Sequence, residues 1–179
     1  MSKVPPAHHS EKWTMYSLSS ARQQVVSMQF LSASNGLAAT QHTVFHFDGA
    51  QWKSSSLVPA PAYIYTIAPI PGTQSFLVSG SDEHFRSLLY KYSYDKWSQL
   101  PSPFSNYLVT IHAESPNSIW AAGEAEIGFY NGTQWKLLDV PTNYTPLAIY
   151  GRGSSCAYLA TGNEIYQFDG KSWTIIFST

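Results

Sequence analysis

The sequence IGFYNGTQW, residues 127–135, contains a short apolar alternation, a tight Asn-Gly pair and a tryptophan that opens a second apolar run. The same nine-residue frame recurs as VFHFDGAQW at 44–52, LYKYSYDKW at 89–97 and IYQFDGKSW at 165–173. A fifth tryptophan, Trp13, keeps only the end of the frame. The chain is therefore largely made of copies of one short unit.

Each frame predicts two strands joined by a turn. The residues before the turn are β-branched or aromatic, and a run of about five favours a strand over a helix. The pairs Asp48-Gly49, Asn131-Gly132 and Asp169-Gly170 tolerate the positive φ that a tight hairpin needs. The second copy has Ser93-Tyr94 at this place, so its turn is predicted to bend differently or to be strained.

The spacing of the tryptophans predicts the architecture. Trp13, Trp52, Trp97, Trp135 and Trp173 are separated by 39, 45, 38 and 38 residues. A period near 40 with four short strands and no helical pattern is typical of a β-propeller blade. We predict an all-β chain, a β-propeller of four-stranded antiparallel blades, with four repeats of ~40 residues and one N-terminal strand at 13–18. The long interval is assigned to an insertion at residues 80–87.

The domain prediction follows from the repeats. Residues 1–10 are rich in proline and polar side chains and are expected to form a flexible lead-in. Residues 11–179 are expected to form a single propeller or part-propeller domain, with repeats at about 21–57, 62–100, 106–139 and 146–177. The extra strand leaves three alternatives, because an unpaired edge invites pairing. In the first, the chain is a segment of a larger ring. In the second, two copies complete an eight-bladed ring. In the third, the strand covers the outside of a small array of blades.

Composition limits the classes of partner. Charged residues make up 12% of the chain, aromatic residues 15%, and the net charge is −1 with no basic run. These values predict no binding to nucleic acid or to an anionic membrane. The single cysteine, Cys156, excludes an internal disulfide. No apolar run of about 18 residues and no signal-peptide core are seen, so no membrane insertion is predicted and the compartment is left open.

The repeats also resemble a known group. They are similar to bacterial propellers with the pattern Gly-Trp-Ala-x-Gly followed by Tyr/Phe-Asp/Asn-Gly-x-x-Trp, a group that resembles photosystem-assembly-factor propellers and, distantly, Asp-box propellers of the sialidase type. Repeat three carries the best match, in residues 118–123, 127–132 and Trp135. The resemblance implies a propeller that serves as a binding platform. Asp48 and Asp169 directly precede glycine, whereas an Asp-box has an extra residue between the two.

Catalytic and metal chemistry find little support in the sequence. A sialidase-like site needs several converging arginines, and the chain has three, spread over different repeats. Glu124 and Glu126 are interpreted as solvated loop acids. His42 and His46 are about 13 Å apart along a strand, too far to share an ion, and His84 lies in a polar loop. We predict no enzyme activity, no catalytic residue, no metal and no cofactor.

Two sets of residues receive structural roles. The five tryptophans that recur in register, together with Trp120, are predicted to be core because each can bury 150–250 Å². Glycines at the turns are expected to adopt positive φ. These turn residues are Gly49, Gly132 and Gly170.

The loops remain as the place for function. Three connections between repeats carry proline and a tyrosine just before the next inner strand, and tyrosine on a stiff backbone suits recognition or plugs the channel. These loops should share a face with the connections between second and third strands. The candidate binding residues on that face are Tyr63, Tyr107, Tyr144, His42, Asp82, Glu83, His84, Arg86, Glu124, Glu126 and Asn163.

Three functions are weighed. The first is a non-catalytic scaffold that binds a protein partner or itself, with a homodimer as one form. The second is a lectin-like propeller that binds carbohydrate, which one similar polar and aromatic pocket in each repeat would support. The third is a sialidase-like glycoside hydrolase, which needs converging carboxylates or arginines.

Overall fold

The computed structural model describes the backbone of residues 3–4, 15–16 and 24–179. Sixteen strands between residues 25 and 178 form four antiparallel sheets of four strands each, in chain order within every sheet. The inner strands of successive sheets pack side by side. The all-β prediction with four-stranded propeller blades is confirmed.

The strands are numbered in chain order. A two-stranded antiparallel sheet precedes the blades and contains β1 (Lys3–Val4) and β2 (Met15–Tyr16). Blade 1 contains β3 (Val25–Ser32), β4 (Asn35–Thr40), β5 (Val44–Phe47) and β6 (Trp52–Ser55). Blade 2 contains β7 (Tyr63–Ile70), β8 (Ser75–Ser81), β9 (Ser87–Ser93) and β10 (Lys96–Leu100). Blade 3 contains β11 (Leu108–Ser115), β12 (Ser118–Gly123), β13 (Glu126–Tyr130) and β14 (Trp135–Asp139). Blade 4 contains β15 (Ala148–Gly151), β16 (Ala157–Ala160), β17 (Glu164–Phe168) and β18 (Trp173–Ser178).

The insertion predicted at residues 80–87 lies partly in the strands. Residues 80–81 extend β8, and Ser87 begins β9, so residues 82–86 alone connect the two strands. At the N-terminus, Lys3–Val4 pairs with Met15–Tyr16. Trp13 lies outside the described residues.

Three of the four outer hairpins share one turn. The Asp48 carboxylate accepts hydrogen bonds from the backbone N–H groups of Ala50 and Gln51, at 3.0 and 2.9 Å. Asn131 and Asp169 make the same pair of bonds in blades 3 and 4. The following glycines have φ between +94° and +97°. A short acceptor that bonds its own backbone, followed by glycine, therefore closes each hairpin.

The hairpin of blade 2 lacks that glycine. Tyr94 and Asp95 both have positive φ, +51° and +61°. The Tyr92 hydroxyl donates a hydrogen bond to the Asp95 carboxylate at 2.7 Å. The turn thus bends differently from the other three, because two residues with side chains are left-handed.

The core lies between blades. On the inner strands of blades 2, 3 and 4, one isoleucine packs against the preceding blade: Ile67, Ile111 and Ile149 are at most 8% exposed. Each belongs to a cluster with an apolar residue near the start of the third strand of the blade before it. The pairs are Val44 with Ile67, Leu89 with Ile111, and Ile127 with Ile149.

Hydrogen bonds cross the same interfaces. The Ser27 hydroxyl accepts the N–H of Ile67 at 3.1 Å, and the Thr110 hydroxyl accepts the N–H of Ile149 at 3.4 Å. On the outer side, the Trp97 indole N–H donates to the Ser55 hydroxyl of the preceding blade at 2.6 Å.

Trp173 differs from Trp97 in one polar contact. Its indole nitrogen is buried and has no hydrogen-bond partner among the described residues. Leu138 stands in blade 3 where blade 1 has Ser55, since both are three residues after their tryptophan. An apolar side chain thus replaces the acceptor.

We expect Trp97→Phe to lower the free energy of unfolding by about 1 kcal/mol more than Trp173→Phe. Both variants lose similar ring area, but only Trp97→Phe breaks a hydrogen bond and leaves the Ser55 hydroxyl unpaired. Denaturant unfolding of both variants and the unmodified chain measures the difference. An equal or larger loss for Trp173→Phe would contradict the assignment.

Trp120 lies in the interface between blades 3 and 4. It is fully buried, and its indole N–H donates to the Gly153 carbonyl at 2.9 Å. A methyl group at Gly151 would overlap the Trp120 ring. The absence of a side chain at Gly151 is therefore what admits the ring.

We expect Gly151→Ala to lower the free energy of unfolding by about 1–3 kcal/mol through overpacking. Gly162→Ala is the control, because a methyl group there meets no atom within 4 Å and should change stability by less than about 1 kcal/mol. Thermal or urea unfolding followed by tryptophan fluorescence checks both. Equal stability of the two variants would show that Trp120 does not fill this space.

Candidate functional site

Two kinds of loop meet at one edge of the blades. The Ile64 N–H donates to the Gln41 carbonyl at 2.8 Å, and the Tyr107 N–H donates to the Phe85 carbonyl at 3.1 Å. Each bond joins the start of an inner strand to the connection between the second and third strands of the preceding blade. The expected grouping of these loops on one face is thus seen for blades 1 to 3.

Five rings on this face form what we call the aromatic cluster. Its ring centroids are 5.7 Å apart for His42 and Tyr63, 5.9 Å for Tyr63 and Phe85, 5.9 Å for Phe85 and Tyr107, and 4.4 Å for Tyr107 and Tyr65. Tyr63 and Phe85 are parallel, with 2° between their planes. The cluster therefore spans the inner ends of blades 1, 2 and 3.

Phe85 is the most unusual member of the cluster. Its φ is +61°, a region that bulky residues rarely adopt. The Asp82 carboxylate holds the loop: it accepts the backbone N–H groups of His84 and Arg86 and forms an ion pair with the Arg86 guanidinium at 2.6 Å. The ring of Phe85 stays 50% exposed. A strained backbone thus presents an apolar ring to solvent.

Tyr107 is fixed by an acid of the next loop. Its hydroxyl donates to the Glu124 carboxylate at 2.7 Å. This hydrogen bond, together with desolvation, raises the pKa of Tyr107 to about 12. The second predicted acid has another partner, because Glu126 accepts from the backbone and side chain of Ser105. The two carboxylates therefore bind different residues of the same connection, between β10 and β11.

The remaining predicted residues fall into separate groups. Tyr144 is 50% exposed, and its backbone N–H donates to the Thr142 hydroxyl at 3.0 Å. The Asn163 carbonyl accepts the N–H of Thr179 at 3.1 Å. Glu83 and His84 are exposed in the loop that carries Phe85. Sequence reasoning missed Phe85 and Tyr65, although the insertion of the second repeat and the Tyr-Ile-Tyr start of β7 were visible signals.

The histidines that suggested a metal have other partners. His42 Nδ1 lies 2.8 Å from the Ala62 carbonyl, and His46 Nε2 lies 3.3 Å from the Asn35 side-chain oxygen. Within residues 24–179, no three His, Cys, Asp or Glu side chains are grouped as ligands for an ion.

No described segment is a helix with the length and apolar character needed to cross a bilayer.

Grooves between the blades differ from one another. The groove between blades 2 and 3 has a volume of about 490 Å³ and is lined by Trp135, Tyr130 and Lys91 among apolar residues. The groove between blades 1 and 2, about 280 Å³, is lined by polar and aromatic side chains that include His46, Asp95 and Tyr92. The linings of these two grooves therefore differ.

Comparisons with known proteins support the fold. No family model and no curated protein matches the chain. Among solved structures, the chain is similar to YCF48 bound to D1 peptide, with 15% identity, a TM-score of 0.63, and coverage of 87% of this chain and 55% of that one. It is similar to the RRP9 WD40 repeats, with 9% identity, a TM-score of 0.71, and coverage of 89% and 53%.

A further similarity is to the extracellular domain of the two-component system BT3049 from B. thetaiotaomicron, with 12% identity and a TM-score of 0.68. That match covers 87% of this chain and 25% of the other. The chain thus spans about half the length of the first two propellers. At these identities the likeness establishes the β-propeller fold.

Proposed function

We propose that this chain is a protein-binding propeller domain, residues 11–179, whose aromatic cluster holds an extended peptide segment. The segment would carry proline or aromatic side chains, which pack well on flat aromatic rings. Such rings have few rotamers, so they lose little conformational entropy when a ligand binds. No step of this function requires a cofactor. It is the protein-binding form of the scaffold hypothesis.

The observation that carries the proposal is the exposed ring of Phe85. A bulky residue with positive φ costs of order 1–3 kcal/mol, and such strain is concentrated at binding and catalytic sites. Here the strained residue is stacked on Tyr63 and held by the Asp82 hydrogen bonds. A preorganised apolar surface lowers the entropy lost on binding.

Two further observations agree with a peptide ligand. YCF48, which shares the fold, was solved bound to D1 peptide. Arg86 neutralises Asp82, so the exposed Phe85 side chain lies beside an ion pair without net charge. The differing grooves between blades are unlike the repeated pocket that carbohydrate binding would favour.

The test is an array of proline- and aromatic-containing peptides probed with the purified chain. We expect binding of individual peptides, weakened at least ~10-fold by Tyr63→Ala or Phe85→Gly, as for central aromatic residues of interfaces. Tyr94→Ala is the control: it removes an aromatic side chain that is 79% exposed at the hairpin of blade 2. It should change affinity less than ~2-fold.

The same variants separate recognition from packing. Glycine adopts positive φ without strain. The free energy of unfolding of Phe85→Gly should therefore lie within about 1 kcal/mol of that of the unmodified chain, while peptide binding is lost. A large loss of stability with unchanged binding would mean that the ring only plugs the face. An array without a bound peptide, alongside a glycan array with bound sugars, would favour the carbohydrate alternative instead.

A further inference from the structure

The first blade exposes a residue whose equivalents are buried. Met28 pairs with Ala38 of the second strand. Ile67, Ile111 and Ile149 pair with the equivalent residues in the other blades, so the four residues occupy the same position. The three isoleucines are 2%, 8% and 5% exposed, whereas Met28 is 55% exposed. The surface of blade 1 around Met28 is called the leading face. Met28 stands at the strand position that packs against the preceding blade in blades 2, 3 and 4.

The last blade shows the complementary exposure. Ile165 lies near the start of β17, in the same register with the second strand as Val44, Leu89 and Ile127 in the other blades. Those three residues are 0%, 1% and 0% exposed, but Ile165 is 37% exposed, and Phe177 beside it is 54% exposed. The surface around Ile165 and Phe177 is called the trailing face.

The two faces match each other by the rule of the internal interfaces. There, the Val44-type residue of one blade clusters with the Ile67-type residue of the next. A fourth interface of the same kind would pair Ile165 with Met28. Both residues are apolar, and each face continues the pattern of three interfaces already present in the chain.

We propose that the leading face of one copy packs on the trailing face of a second copy, and that two such contacts close an eight-bladed ring. Eight blades lie within the usual range of propellers, and the propellers RRP9 and YCF48 are about twice as long as this chain's aligned part. Two symmetry-related contacts satisfy both faces of both copies. This inference does not rest on the aromatic cluster.

One polar position differs at the new contact. Ala148 stands in blade 4 where blades 1 and 3 carry the hydroxyls of Ser27 and Thr110, which accept an N–H from the next blade. The Met28 N–H of a second copy would therefore lack that acceptor. Ala148→Thr should restore it in both contacts and tighten the pair of copies about 25-fold, which is about fivefold for each of the two hydrogen bonds. Weaker association of this variant would count against the contact.

The main test is the solution mass by light scattering over a range of concentrations. We expect about twice the 19.9 kDa of one chain. Met28→Lys and Ile165→Glu should each give the mass of one chain, because each places a charge in both contacts. Leu137→Glu is the control: it changes a residue 39% exposed on an outer strand away from the two faces and should leave the dimer intact.

Mixing the two charged variants tests the direction of the contact. In a mixed pair, one contact keeps Ile165 against Met28, and the other brings the new glutamate opposite the new lysine. The 1:1 mixture should therefore recover the dimer. A single-chain mass of the unmodified protein at every concentration would overturn the proposal, as would a longer polymer, a dimer that resists both variants, or variants that fail to recover it when mixed.

Discussion

The structure depends on the contacts between neighbouring blades. Each of these contacts uses one apolar residue of an inner strand. A four-stranded sheet cannot bury both of its faces alone, so each blade gains stability from its neighbours. Ile67, Ile111 and Ile149 occupy the same register and are all buried. The hydroxyls of Ser27 and Thr110 add hydrogen bonds to two of these contacts.

The blade contacts also explain where the exposed rings can form. Packing of the inner strands brings the start of one blade beside the second loop of the blade before it, as the bond from Tyr107 to Phe85 shows. Tyr63 begins an inner strand, whereas Phe85 and Tyr107 lie in two different loops, and the three rings meet only because of this offset. The packed blades thus position the rings of the aromatic cluster, although the loops that carry these rings are short.

Polar side chains of the loops hold that surface in place. The Asp82 carboxylate accepts three hydrogen bonds from its own loop, and the Glu124 carboxylate accepts one from the hydroxyl of Tyr107. The acids that a catalytic reading would pair are thus bonded to separate neighbours. The outer hairpins use the same kind of interaction, because Asp48 and its equivalents accept hydrogen bonds from backbone N–H groups of their own turns.

Local sequence determined the blades, because strand propensity, the Asx-Gly turns and the recurring tryptophans act within about 40 residues. Each of the four predicted repeats contains one four-stranded blade. It also placed Tyr63 and Tyr107 on one face. Only the tertiary structure decided that Phe85 joins them and that Met28 and Ile165 stay exposed, since these depend on contacts between blades that no local pattern encodes.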